Sequence, residues 1–122
     1  MTYIDGFVIA VPNENKEKFV EHAELMDSIF MDHGALRIME CWEDDVKVGV
    51  NTDFRRAVDA KDNESIVFSW VEWPDKESRE EAYRQMEELM KTDERFDETK
   101  FPVPFDGARM IYGGFAPVFS LP

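Results

Sequence analysis

The segment SIVFSWVEW, residues 65 to 73, is apolar on both of its parities. In an extended chain Ile66, Phe68 and Trp70 fall on one side, and Val67, Val71 and Trp73 on the other. A strand with one solvated face alternates apolar with polar residues, and this one does not. It has to be covered twice. The same holds for YIDGFVIAV (3–11), where Phe7, Ile9 and Val11 oppose Val8 and Ala10. It holds again for ARMIYGGFAPVF (108–119), where Ile111 and Phe115 oppose Met110 and Tyr112.

The remaining elements say how one covering layer is supplied. After the first strand, closed by Pro12, Asn13 is placed to cap a helix, with Glu14 and Glu17 in its first turn. Phe19, Ala23, Met26 and Phe30 follow as an amphipathic stripe, and Gly34 ends the helix near residue 33. ALRIMECWE (35–43) is the second strand. Residues 44 to 64 are polar and irregular, with a helical turn at FRRAV, and form the longest connection. The strand at 65–73 ends at Pro74, and Asp75 caps a second helix carrying Arg79, Tyr83, Met86 and Met90 on one stripe. Pro102 and Pro104 keep the next connector out of a strand, and 108–119 is the fourth strand. The order βαββαβ with right-handed crossovers predicts an α+β, ferredoxin-like sandwich: a four-stranded antiparallel sheet with both helices on one face. At 122 residues it is one domain, 1–122.

Two helices cover only one face. The second face therefore predicts a homodimer, a dimeric α/β barrel in which two sheets meet. The alternative cover is the 44–64 segment folding back. Fourteen basic residues against 27 acidic ones, net −13, exclude sequence-independent nucleic-acid binding and an anionic membrane surface as partners. One cysteine forms no internal disulfide, the first twelve residues do not read as a signal peptide, and no run approaches a membrane span. A cytoplasmic protein is the expectation.

YIDGFVIAVP, GALRIMECWEDDV, TDFRRAV, IVFSWVEWP and PFDGARMIYGGF together resemble the YbaA-like family of small bacterial proteins of unknown function. The resemblance spans nearly the whole chain in the same order, and PFDG-x-RMIYGGF and GALR-x-x-ECW are its most specific parts. It implies the dimeric α+β barrel superfamily, in agreement with the fold above, and supplies no substrate, reaction or catalytic residue. That superfamily also holds small monooxygenases, haem-handling enzymes and muconolactone isomerases, and a shared fold does not transfer function. One departure lies at VKVGVNTDF, where relatives carry a Pro-Asp-Gly-type turn.

Cys41 invites a nucleophile reading. Its neighbours Glu40 and Glu43 are wrong for a thiolate, and packing is the better account. His22 and His33 lie eleven residues apart on one helix face, about 16 Å along the axis, too far to share a metal ion. His33 beside Gly34 suits a helix C-terminus, and a general-base role stays open for either histidine. Asp44, Asp45 and Asp53 lack calcium-loop spacing, and YGGF (112–115) marks a bulge or a close approach without a phosphate-binding helix after it. No metal or cofactor motif is present.

The in-strand charges are the more informative set. Asp5, Glu40 and Glu72 interrupt apolar strands, as do Arg37 and Arg109. They are either cross-strand and dimer-registry pairs, or convergent groups of a cavity in which a carboxylate transfers protons. The candidate catalytic residues are Asp5, Glu40, Glu72, His22 and His33; the candidate ligand contacts are Trp42, Trp70, Arg109 and Tyr112. Three functions fit: binding of a small apolar or aromatic molecule, a cofactor-independent monooxygenase- or isomerase-like enzyme, and a structural or stress-related module without a ligand.

Overall fold

The four predicted strands form one antiparallel sheet in the computed structural model, which describes residues 1–122. They are β1 (Tyr3–Pro12), β2 (Arg37–Trp42), β3 (Glu64–Trp73) and β4 (Ile111–Phe115), in the spatial order β2-β3-β1-β4. The helices are α1 (Lys16–Asp32), the single turn α2 (Phe54–Ala57) and α3 (Lys76–Thr92). This is the ferredoxin-like arrangement. No helix is long and apolar enough to cross a membrane.

The register fixes the two faces. Phe7 pairs with Ser69 and Tyr112, and Glu40 also pairs with Ser69, so these residues share the helix-covered face. Ile9, Val11 and Val67 pack there against Phe19 and Ala23 of α1, while Val71 and Trp73 pack with Ala82 of α3. The outer face carries Ile4, Val8, Phe68, Trp70, Ile111 and Phe115.

Helix α1 ends as its glycine predicts. Gly34 has φ +110°, a left-handed conformation that costs glycine little. Its N–H donates to Met31 O, and Ala35 N–H donates to Phe30 O, the Schellman pattern. The start differs. Asn13 does not cap the helix: residues Asn13–Asn15 form a 3-10 turn, and the Asn13 side chain instead accepts from the Ser65 hydroxyl. Asn15 at the cap position donates to Pro104 O at 2.9 Å, tying α1 to the connector after α3. Asp75 does cap α3, accepting from Ser78 N–H at 2.7 Å.

Two further expectations change. The fourth strand is shorter than 108–119. Asp106 accepts from Ala108 N–H and winds Gly107–Arg109 into a 3-10 turn, and pairing stops at Phe115. YGGF contains no bulge, since its ladder with β1 is continuous. What comes close is Tyr3, whose ring would collide with a side chain at Gly114.

The outer face is covered in part by the chain's own long connection. Val58 packs on Ala10 and Ile66, and Phe54 sits edge-on to Phe68 at 5.8 Å. That connection is held by Asp53, which accepts from Arg56 N–H and Gly49 N–H, and by Arg56, which donates to the carbonyls of Gly49, Val50 and Asn51. Beyond it an apolar trough of about 730 Å³ stays open, with Ile4, Val8, Phe68, Trp70, Ile111 and Phe115 in its lining.

Candidate functional site

Between α1 and the sheet lies a small, partly open cavity of about 130 Å³. Its walls are largely apolar, among them Phe7, Ile9, Phe19, Met26, Phe30 and Val71. Four polar side chains reach it: His22 and Asp27 from α1, Glu40 from β2 and Ser69 from β3. Outside it, along the free edge of β2, runs an open groove of about 930 Å³. Asp27 and Glu40 line both, together with Phe19 and Ala23, so the two carboxyls stand where groove meets cavity.

The two carboxyl groups are within hydrogen-bonding distance of each other. Glu40 is exposed as a residue because one edge faces the groove, while its carboxyl is largely desolvated. Burial pushes that carboxyl up, and the charge and hydrogen bond of Asp27 push it further, to about 8, against a hydrogen bond from Ser69. Asp27 is also raised by burial, opposed by its bond to Glu40. At neutral pH the pair therefore holds a proton: Glu40–H faces the Asp27 carboxylate, with Ser69 opposite Glu40 across the β2–β3 ladder. No cation lies in the lining of the cavity to replace that proton. His22 stands edge-on to Phe105 at 5.7 Å, and burial lowers its pKa, so it presents a neutral ring.

The structure separates the other sequence candidates from this site. Asp5 is buried and accepts from Trp73 Nε1 (2.9 Å), Arg79 Nη2 (2.8 Å), Arg79 Nε (3.2 Å) and Tyr83 Oη (2.7 Å), a closed ion-pair cluster under α3. Glu72 lies on the outer face, accepts from Trp70 Nε1 at 3.1 Å and sits opposite Arg37. His33 makes a 2.8 Å hydrogen bond with Ile29 O at the end of α1. Arg109 forks onto the buried Glu64 with two 2.7 Å bonds and also holds Asp106 and Asp59 O, which leaves it no freedom to take a ligand. Its guanidinium holds the Glu64 carboxyl down at about 2. Trp42 lines the groove under Lys16, whose ammonium lies 5.2 Å from the ring centroid. Trp70 lines the outer trough; Tyr112 borders it from the edge strand β4, with its ring on the helix side, stacked on Phe7 at 6.3 Å. Cys41 faces a separate hollow of about 150 Å³ with Phe54 and Phe68. No group of three or more His, Cys, Asp or Glu side chains is arranged to hold a metal ion.

Of the candidate residues, then, Glu40 and His22 share a cavity. Asp27 and Ser69 complete it and did not stand out in the sequence. Their signals were present but weak: Asp27 lies four residues after Ala23 and eight after Phe19, at the edge of the buried stripe, and Ser69 is a small polar residue inside the most apolar strand.

A family model described as "Protein of unknown function (DUF1428)" matches residues 2–107. "Uncharacterized protein YbaA" of Escherichia coli K12 is 49% identical over 120 residues, covering 98% of this chain and 99% of that protein; the protein of the same name from Shigella flexneri matches equally. Among solved structures, a dimeric ferredoxin-like protein from an uncultured marine organism superposes with a TM-score of 0.59 at 12% identity, over 98% of both chains. SnoaB, a cofactor-independent oxygenase from Streptomyces nogalater, superposes with a TM-score of 0.54 at 15% identity, over 99% of this chain and 97% of that one. At such identities the likeness is one of fold.

Proposed function

The chain belongs to the DUF1428 family, and we propose that it binds a small apolar or aromatic molecule beneath α1, with the Asp27–Glu40 pair as its polar anchor. The carrying observation is two carboxyl groups, Asp27 and Glu40, side by side at the mouth of an apolar cavity with no cation in its lining, an arrangement that favours holding one proton between them. Once Glu40–H turns from Asp27 to a ligand, the pair donates one hydrogen bond and accepts another, which suits a phenol, an enol or a carbonyl compound. A void of about 130 Å³ takes roughly one aromatic ring, since cavities near 150 Å³ bind benzene. A larger ligand extends past Glu40 into the groove.

A thermal-shift screen of phenols, quinones, flavins and haem tests this. A single-ring phenol or quinone raises the melting temperature of the protein, and Glu40→Gln, still folded by circular dichroism, loses the shift. If no compound moves the wild type, the ligand reading fails and a module with no ligand takes its place.

The same pair supports a second reading, a cofactor-independent isomerase. The Asp27 carboxylate takes a proton from carbon next to a carbonyl while Glu40–H gives one to the carbonyl oxygen. The enol then returns to a ketone with the protons exchanged, and the charges balance without a cofactor. Solvent deuterium appearing in a bound carbonyl compound, dependent on Glu40, is the result expected; a bound ligand that never exchanges leaves binding alone.

The uncovered trough supports a homodimer joined through the outer face. The relative described as a dimeric ferredoxin-like protein supports the same assembly. Sedimentation at micromolar concentration should give twice the 14.3 kDa chain mass; a monomer overturns the barrel. A reduced, cytoplasmic setting accords with the one free cysteine.

A further inference from the structure

The cavity beneath α1 has a second polar end, away from the Asp27–Glu40 pair. His22 and Asp27 both come from α1 and both line the cavity. Five residues of helix turn about 500°, so the two side chains leave α1 about 140° apart. Phe19, Ala23, Met26 and Phe30 occupy the arc between them. Asp27 also lines the open groove along β2, whereas His22 does not; its ring packs edge-on to Phe105, from the connector before β4. The carboxyl pair and the imidazole therefore flank the cavity from opposite sides of the helix.

Helix and sheet give the same length for this space. On α1, a rise of about 7.5 Å and the angle between them put the Cα atoms of His22 and Asp27 about 9 Å apart. On the sheet, Glu40, Ser69 and Phe7 are register partners in one row across β2, β3 and β1. Two strand spacings make about 9–10 Å from Glu40 to Phe7. The one polar side chain between the two ends is Ser69, which faces Glu40 across the ladder.

His22 has its hydrogen-bonding capacity unspent. The other histidine, His33, uses Nδ1 on Ile29 O at 2.8 Å. His22 has no hydrogen-bond partner in the chain, and no wholly buried side-chain nitrogen is left unsatisfied, so its ring nitrogens open onto space. Burial lowers its pKa, and the neutral ring keeps one donor and one acceptor. Phe105, with its ring at 84° to the imidazole, restrains it.

We infer that His22 is the second anchor of this cavity and selects a single ring with polar groups at para-related positions, one on the Asp27–Glu40 pair and the other on the His22 imidazole. The inference rests on the ligand site proposed above and narrows its occupant. The walls between the two ends are otherwise apolar, Phe7, Phe19 and Phe30 among them. A second polar group at an ortho or meta position is turned toward those walls and loses its hydrogen bond.

Calorimetric titration with phenol, hydroquinone, resorcinol and catechol, kept reduced under nitrogen, tests it. The three diols share size and composition and differ only in the position of the second hydroxyl. Hydroquinone is expected to bind about fivefold or more tighter than resorcinol or catechol, the worth of one hydrogen bond. His22→Phe should erase that lead. If phenol or any diol binds but hydroquinone holds no lead over its isomers, or the lead survives in His22→Phe, the inference falls and the binding site stands. If none of the four binds, both fall. Ring-nitrogen NMR gives a second readout without substitution, because the chain has two histidines. Hydroquinone should shift the His22 nitrogens and leave those of His33 in place. A His22 signal that hydroquinone moves no further than phenol does overturns the inference.

Discussion

Asp5 and Glu40 are both carboxylates inside strands, on the same face of the same sheet, each beneath a helix. Their surroundings differ in one respect. Helix α3 lowers Arg79 and Tyr83 onto Asp5, and Trp73 adds a third donor from β3. Helix α1 lowers Asp27 onto Glu40, a second carboxyl where a cation would have settled the charge. Equivalent placement in the fold thus yields one saturated ion pair and one pair that must keep a proton. The first is a stabilising cluster with no spare hydrogen-bonding capacity at Asp5. The second has capacity left over and sits at a cavity mouth, which is where a reactive or binding group belongs.

The sharpest way to break this contrast is to remove each carboxylate. Asp5→Ala strands Arg79, Tyr83 and Trp73 without their acceptor. Breaking a buried ion pair from one side costs about 3–5 kcal/mol, so urea denaturation should show a loss of that order and a melting temperature lower by roughly 10 °C or more. A loss below about 1 kcal/mol would mean the cluster is not the anchor described.

Glu40→Gln acts in the opposite direction and depends on pH. The folded chain holds the Glu40 carboxyl up at about 8, above its ordinary value near 4.5, so folding favours the protonated form. Stability is therefore full below about pH 4.5 and declines as pH rises through 8. Asp27, raised as well, adds to the same trend. Glutamine imitates the protonated acid. The variant should match the wild type at pH 5 and melt higher than it at pH 9, measured by scanning both across that range. A wild type no less stable at pH 9 than at pH 5, after Glu40→Gln is subtracted, rules out the shared proton.

The sequence carried the contrast only in part. Element order, strand faces and the two-layer requirement follow from periodicity, which the backbone obeys directly. Asp5 and Glu40 stood out because a carboxylate in an apolar strand has to be accounted for. Their partners did not stand out: Asp5 meets Arg79 across 74 positions, and that contact depends on how α3 seats on the sheet. Asp27 was hidden beside Met26 on a stripe that reads as core. Strand β4 read too long because ARMIYGGFAPVF is apolar on both parities, whereas Asp106 and the Glu64–Arg109 fork draw its first residues into a turn.

Ser69→Ala sharpens the comparison at smaller scale. Ser69 is buried and its hydrogen bond lowers the Glu40 pKa. Without it the carboxyl should titrate above 8, while stability at pH 6 falls by about 1 kcal/mol, the usual net worth of one hydrogen bond. Carboxyl chemical shifts followed by NMR across pH 5–10 report the displacement. An unmoved midpoint would show that Ser69 does not touch the charge.

The smallest effect belongs to the third in-strand carboxylate, and it asks whether face or strand position decides the outcome. Glu72 is two residues from Trp70 on β3 and opposite Arg37, on the outer face. It accepts one bond from the Trp70 indole, which a glutamine carbonyl also accepts. No second carboxyl crowds it and no helix lies over it. Glu72→Gln should therefore change stability by no more than about 0.5 kcal/mol in the same denaturation series. A change of about 2 kcal/mol or more would mean that a carboxylate in any of these strands carries such weight, and the special standing of the pairs beneath the helices would be lost.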